Sequence, residues 1–151
     1  HEYFPFQLSS HSLLLIDTKV KHSLASSAYN KRRESCELAV SIIKKDHPAI
    51  KSLRDIPLSL LKEYQVKIPA EAYQRSHFIV NEISRTQAAA DLLKNNSLSA
   101  FGKLMYETHE GLSKEYEVSC AELDLLVQIA RQHAITGARM MGGGFGGCTI
   151  N

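Results

Sequence analysis

The order of apolar and polar positions predicts strands at the two ends of the chain and helices between them. Near the N-terminus, "EYFPFQL" (residues 2–8) alternates aromatic with other side chains, and "SLLLIDTKV" (12–20) has the composition of a buried strand. The turn "SSH" separates the two segments, so we predict a hairpin. Pro5 indicates that its first strand lies at a sheet edge. Near the C-terminus, residues 148–150 favour another strand because they are rich in β-branched side chains.

Between these strands, apolar residues recur at helical spacing. Tyr29, Cys36, Val40 and Ile43 share one face of the first predicted helix, which ends before Pro48. In the longest predicted helix the apolar stripe is Ala72, Ile79, Ile83, Ala90 and Leu93. In the last one, the residues predicted to face the core are Leu123, Leu126 and Ile129.

Turn and capping residues set the predicted helix ends. The predicted start signals are Ser26 or Ser27, Asp55 with Pro57 in the first turn, Pro69, Ser97, and the capping box Ser119-x-x-Glu122. The predicted stop signals are Asn95-Asn96 for the longest helix and Gly137 for the last one. Strands at both ends with helices between them predict an α+β fold, an antiparallel sheet packed against several helices.

Composition narrows the function classes. The chain of 151 residues has a formal net charge of +2, which gives no reason to expect a nucleic-acid partner. No apolar run is long enough to cross a bilayer. Its three cysteines are widely spaced without a Cys-x-x-Cys pair, which argues against a disulfide framework and a zinc site. We therefore expect a cytoplasmic protein without a metal site or membrane contact.

The run "GGGFGG" (residues 142–147) is the most unusual feature, since glycine costs backbone entropy. Its spacing matches a dinucleotide fingerprint, but that motif needs a strand before it and a helix after it. Here we predict a helix before it and a strand after it. A Walker loop would need a lysine, which is absent. Two interpretations remain open: a turn that lets backbones pack closely, and a loop whose bare backbone approaches a ligand.

Longer segments resemble galactokinases, which are GHMP kinases. "KHSLASSAYNKRRESCE" is similar to a Ser-x-Tyr-x-x-Arg-Arg-x-x-Cys-Glu run of that family, and "HFIVNEISRT" and "FGKLMYETHEGLSKEYEVSCAELDLLV" resemble its C-terminal half. "RMMGGGFGGCTI" is similar to the third GHMP motif, with Met141 in place of the usual threonine. The resemblance covers nearly the whole chain and implies the ferredoxin-like C-terminal domain of this family.

The resemblance also implies that residues 1–151 are a truncated C-terminal domain. The family's Gly-Arg-x-Asn-Leu-Ile-Gly-Glu-His and Gly-Leu-Ser-Ser-Ser-Ala motifs, and its catalytic aspartate, have no counterpart in this sequence. We expect the nucleotide-binding domain to be absent, and the last helix and strand to be missing. The chain alone should then be inactive, and its sheet edge should favour self-association.

Five residues receive substrate-binding roles from the resemblance. Tyr29 matches a tyrosine that hydrogen-bonds the sugar, Lys21 matches a basic residue near the sugar, and Gly142, Gly143 and Gly144 match the loop beside the sugar and phosphate. No catalytic residue is expected in this chain, and no cofactor-binding residue is assigned. Lys21 also belongs to a basic cluster that we interpret mainly as solvated surface, and we assign no role to His109 or Glu107, a possible acid–base pair.

In the whole enzyme the resemblance implies phosphorylation of galactose with ATP and Mg²⁺, in the Leloir pathway, with the N-terminal domain as the partner of this one. This chain alone should bind neither cofactor tightly. Three alternatives stay open: a kinase for N-acetylgalactosamine or a related sugar, a non-catalytic sensor of galactose and ATP, and an unrelated α+β interaction module.

Overall fold

A computed structural model describes residues 11–20 and 25–151. These residues divide into two compact units, which we describe separately. Of the described residues, the helical unit comprises 25–84, and the sheet unit comprises 11–20 and 85–151. The predicted strand at residues 2–8 lies outside the described residues.

The helical unit contains α1 (Ala25–Lys44), a 3₁₀ turn (Leu53–Asp55), α2 (Leu58–Glu63) and the first part of α3 (Ala70–Lys94). Its helices enclose one apolar core, because each turns a stripe of aliphatic side chains inward. The buried members of this core are Ala39, Ile43, Ile50, Leu53, Ile56, Leu61, Tyr64, Ile68, Ala72 and Val80. The core includes Ile43 and Ala72, which the helical spacing had placed on inward faces.

Several helix starts differ from the predicted ones. α1 already includes Ser26 and Ser27, so neither is its N-cap. Asp55 does not cap α2. Its carboxylate accepts the backbone N–H groups of Lys51 and Ser52, both at 2.9 Å, and so closes the 3₁₀ turn. Pro57 then occupies the N-cap of α2.

The sheet unit contains β1 (Leu15–Asp17), α4 (Leu98–Lys114), α5 (Ala121–Gln132), β2 (Arg139–Met140) and β3 (Cys148–Ile150). The strands form an antiparallel sheet in the order β1-β3-β2, with Ile16 opposite Thr149 and Met140 opposite Thr149 on the other side. The α+β prediction and the C-terminal strand are confirmed. β1 is less buried than predicted, since Leu15 is 55% exposed.

The start and the buried face of α5 correct two predictions. Cys120, not Ser119, is the N-cap of α5, so the capping box does not form. Val127 and Ala130 face the core beside Leu123, whereas Ile129 is 41% exposed.

The stop of α5 also differs from the prediction, because the helix ends before Gly137. Ala134 takes a left-handed conformation (φ 54°), and the Ile135 N–H donates to Ala130 O at 3.0 Å. The closing turn therefore lies at Ala134. In the part of the chain that the structure describes, no helix is long and apolar enough to cross a membrane.

Candidate functional site

The glycine loop, residues 142–147, is the turn of a β-hairpin. β2 precedes it and β3 follows it, and the Met141 N–H donates to the Cys148 carbonyl at 2.9 Å. The prediction of a helix before this loop is therefore wrong, because α5 ends early and Arg139–Met140 pair with β3. A loop between two antiparallel strands offers no helix N-terminus, which excludes the dinucleotide fingerprint on structural grounds.

Gly144 and Gly146 are required by packing. A β-carbon on Gly144, which has φ 83°, would lie 2.0 Å from the Val118 carbonyl oxygen. The next residue fixes this approach, since the Phe145 N–H donates to the same oxygen at 2.7 Å. A β-carbon on Gly146 would lie 3.0 Å from the Val20 backbone oxygen. These two glycines fit the packing interpretation.

Gly142 and Gly143 are different, because both are exposed and neither packs on a described residue. A β-carbon on either would have no described atom within 4 Å. Gly142 has φ 80°, which favours glycine, whereas Gly143 lacks a positive φ and lacks a close neighbour. The local backbone gives no reason for glycine at 143, so this is the position at which a bare backbone is open to a ligand.

Tyr29 and Lys21 are the two predicted substrate-binding residues outside the glycine loop. Tyr29 is on α1 in the helical unit, with 52% of its surface exposed, so its phenol is open to solvent. Lys21 lies outside the described residues. Of the basic cluster around Lys21, Lys19 pairs with Asp17 at 3.1 Å and Arg33 with Glu37 at 2.7 Å, as expected for a solvated surface.

His109 on α4 connects β2, the strand before the glycine loop, to α5. Its Nδ1 accepts the Met140 backbone N–H at 3.2 Å, and its Nε2 lies 3.2 Å from Asp124 Oδ1 on α5. An acceptor at Nδ1 carries no proton, so these contacts assign a neutral imidazole that donates from Nε2. Glu107, its companion in the sequence, pairs instead with Arg85 at 3.5 Å.

Asp124 is held by two serines as well as by His109. Ser119 Oγ donates to its Oδ1 at 2.5 Å, and Ser113 Oγ donates to its Oδ2 at 2.9 Å. Sequence reasoning missed this cluster. A signal was available, because His109 shares the inward face of α4 with Gly102, Met105 and Leu112, and a polar residue on such a face needs a partner.

Burial lowers the pKa of His109 below 6.5, although the Asp124 carboxylate opposes this shift. The guanidinium groups of Arg139 and Arg131 lower the pKa of His109 further. Since the folded protein then binds the proton more weakly than the unfolded chain, acid favours unfolding. The contribution of His109 to stability is complete above about pH 6.5, and it is lost as the pH falls through the lower folded pKa.

We expect His109→Asn to flatten the acid side of the stability profile. The measurement is urea unfolding of both proteins at about pH 7.5 and about pH 5.5. The wild type should lose more stability between these pH values than the variant, which has no titrating group at position 109. Equal losses would show that His109 does not carry the proton linkage.

Among residues 11–20 and 25–151, no group of three or more His, Cys, Asp or Glu side chains is arranged to hold a metal ion. The candidate site consists of the exposed backbone at Gly142 and Gly143, and His109 and Asp124 are linked to the preceding strand through the Met140 N–H.

Residues 89–150 match the family described as "GHMP kinases C terminal". This stretch of the chain therefore carries a GHMP kinase C-terminal domain. The chain is 42% identical to the galactokinase of Homo sapiens over 140 residues, which is 92% of this chain and 34% of that protein. It is 37% identical to the galactokinase of Thermotoga neapolitana over 151 residues, 99% of this chain and 41% of that protein. The chain thus spans about a third to two fifths of the length of these galactokinases.

A solved galactokinase structure is also similar to this chain. The chain matches the galactokinase of Lactococcus lactis, crystallised in complex with galactose, with a TM-score of 0.89 and 30% identity. The match covers 97% of this chain and 38% of that one. The resemblance to galactokinases and the α+β fold are thereby confirmed.

Proposed function

We propose that this chain is the C-terminal part of a galactokinase and that it forms one wall of the sugar site. The observation that carries the proposal is the exposed backbone at Gly142 and Gly143, in a chain 42% identical to a galactokinase. A wall of backbone amides can approach a sugar or phosphate more closely than a wall of side chains.

The proposed substrate residues act by binding and orientation. Gly142 and Gly143 leave space for the ligand. Gly144, whose place is fixed by packing, supports them. Tyr29 donates or accepts a hydrogen bond with a galactose hydroxyl. Lys21 is proposed to lie near the sugar, on the resemblance alone.

The proposed reaction transfers the γ-phosphoryl group of ATP to the C1 hydroxyl of galactose. Such transfers depend mainly on positioning and on charge stabilisation, which ATP-bound Mg²⁺ supplies. The phosphate loop and the base of the family lie in motifs that this sequence does not contain. The contribution of this chain is therefore to hold the sugar and to keep water from it.

The first test is the complete reading frame that includes this sequence. Upstream of residue 1 we expect Gly-Arg-x-Asn-Leu-Ile-Gly-Glu-His and Gly-Leu-Ser-Ser-Ser-Ala, and the encoded protein should release ADP when galactose is added. The 151-residue chain alone serves as the control and should give no galactose-dependent turnover. A frame without these motifs, turnover only with N-acetylgalactosamine, or galactose binding without turnover would each contradict the proposal.

In that protein, Tyr29→Phe is expected to raise the galactose KM about tenfold, the equivalent of one lost hydrogen bond of roughly 1.4 kcal/mol. The kcat should change little, because the phenol binds the ground state and the transition state alike. Tyr73→Phe, on α3 of the same unit, is the matched control and should leave the KM unchanged. An unchanged KM in Tyr29→Phe would remove Tyr29 from the sugar site.

A further inference from the structure

The outer edge of β2 is completed by side chains instead of another strand. In the described sheet β2 is an edge strand. The Met140 N–H donates to His109 Nδ1 at 3.2 Å, and the Met140 carbonyl accepts from Arg139 Nε at 3.0 Å. Met140 and His109 are both buried, with 0% and 6% of their surface exposed. The glycine loop begins two residues after Met140, so the hydrogen bond from the Met140 N–H to His109 fixes the backbone just before the loop.

The Nε2 side of the imidazole is also fixed by hydrogen bonds. Asp124 accepts the His109 Nε2–H, and the two serine hydroxyls of Ser113 and Ser119 hold the carboxylate in turn. The ring is thus oriented by a chain of contacts that runs from α5 through α4 to β2. A neutral histidine in this position sets the orientation of its neighbour through hydrogen bonds at both nitrogens.

We propose that His109, oriented by Asp124, is a positioning residue that fixes the glycine loop for sugar binding. The inference rests on the proposed galactokinase function, and it adds that α4 and α5 control the galactose affinity through the Met140 amide. Fixing a loop in its binding conformation improves affinity because less ordering is needed on binding. We call the cluster of His109, Asp124, Ser113 and Ser119 the loop latch.

Two conservative variants separate the two ends of the ring. An asparagine amide ends near the position of Nδ1, so His109→Asn keeps an acceptor for the Met140 N–H and loses Asp124. A glutamine amide ends near the position of Nε2, so His109→Gln keeps a donor for Asp124 and loses Met140. A general role in core packing would favour the larger glutamine, whereas the loop latch requires His109→Asn to be the milder variant.

Amide hydrogen exchange of the 151-residue chain, followed by NMR, measures the protection that the His109 bond gives to the Met140 N–H. We expect the Met140 amide of His109→Asn to exchange within about threefold of the wild type, and that of His109→Gln to exchange at least about tenfold faster. His133→Gln, an exposed histidine at the end of α5, is the control and should change nothing. Equal exchange in the two His109 variants, or loss of the fold in both, would overturn the loop latch.

Kinetics on the protein from the complete reading frame test the link to sugar binding. In His109→Gln the galactose KM should rise at least about fivefold, while the kcat stays within about twofold of the wild type. In His109→Asn the KM should stay within about twofold of the wild type. A faster Met140 amide with an unchanged KM would overturn the positioning role while leaving the galactokinase proposal intact. A wild type without galactose turnover would overturn the galactokinase proposal, and the exchange data would still decide whether the latch holds the loop.

Discussion

Replacing Gly144 with alanine is expected to lower the free energy of unfolding by at least about 3 kcal/mol. Alanine at φ 83° costs roughly 1–2 kcal/mol from backbone conformation alone. Its β-carbon would also lie 2.0 Å from the Val118 carbonyl oxygen, a contact that requires backbone movement. Such movement breaks the hydrogen bond from the Phe145 N–H to the same oxygen and leaves a buried group unpaired.

The neighbouring glycines provide matched controls for Gly144→Ala. Gly143→Ala should change stability by less than about 0.5 kcal/mol, because no described atom lies within 4 Å and the backbone is not left-handed. Gly142→Ala should fall between the two, at about 1 kcal/mol, since only its φ of 80° opposes a side chain. Urea unfolding of the three variants measures this order.

The same series tests the division of the glycine loop into two halves. If Gly143→Ala destabilised the chain as much as Gly144→Ala, the open backbone at Gly143 would not exist in solution. In the protein from the complete reading frame, Gly143→Ala should raise the galactose KM at nearly unchanged stability. A raised KM at unchanged stability would indicate that the ligand, and not the fold, requires glycine at position 143.

Elements specified by nearby residues could be predicted from the sequence. The long helix α3 starts after Pro69 and stops before Asn95-Asn96 as predicted, and Asn96 adopts φ 51° after the last turn. Its apolar stripe is predicted less well, because Phe78 and Val80 are buried beside Ala72, whereas Ile79 and Ile83 are only half-buried. β3 is likewise marked by Thr149 and Ile150, whose β-branched side chains favour a strand.

Elements specified by distant residues could not be predicted. β2 consists of Arg139 and Met140, which carry no strand signal, and it exists because β3 pairs with it across the glycine loop. The two interpretations of the glycines could not be separated for the same reason. Glycine is required at position 144 because the Val118 carbonyl lies against it, and Val118 reaches the loop only in the folded chain.

The candidate site shows the same limit. The resemblance selected the glycine loop and Tyr29, because their motifs are contiguous in sequence. It gave no role to His109, whose partners Asp124 and Met140 come from other elements. His109 and Glu107 do not pair with each other, as expected for residues two apart on a helix, which point in different directions.

Gly102→Ala is the second substitution with a large expected effect, and its direction opposes helix propensity. In an exposed helix the change would stabilise the chain by up to about 1 kcal/mol. Here a β-carbon would lie 2.0 Å from the Thr136 carbonyl oxygen and 3.0 Å from the Gly137 backbone nitrogen. We therefore expect a net loss of about 2–3 kcal/mol in the free energy of unfolding.

The segment after α5 has little freedom to move away from such a methyl group. The Tyr106 hydroxyl donates to the Ile135 carbonyl at 2.8 Å, and the Ile135 N–H is bonded to α5 at Ala130 O. A β-carbon on Gly137 would in turn lie 2.5 Å from the Gly102 α-carbon, so the two backbones are in direct contact. This contact explains why glycine stands at 137 although α5 ends before it.

Thermal or urea unfolding of Gly102→Ala measures this loss of stability, and Lys103→Ala is its control. Lys103 is the next residue on α4 and is exposed, so its replacement should change the free energy of unfolding by less than about 0.5 kcal/mol. A Gly102→Ala variant as stable as the wild type would mean that residues 136 and 137 can retreat from α4. Because β2 begins at Arg139, movement of residues 136 and 137 would also displace β2, the strand that His109 contacts. The loop latch could then no longer fix the position of the glycine loop.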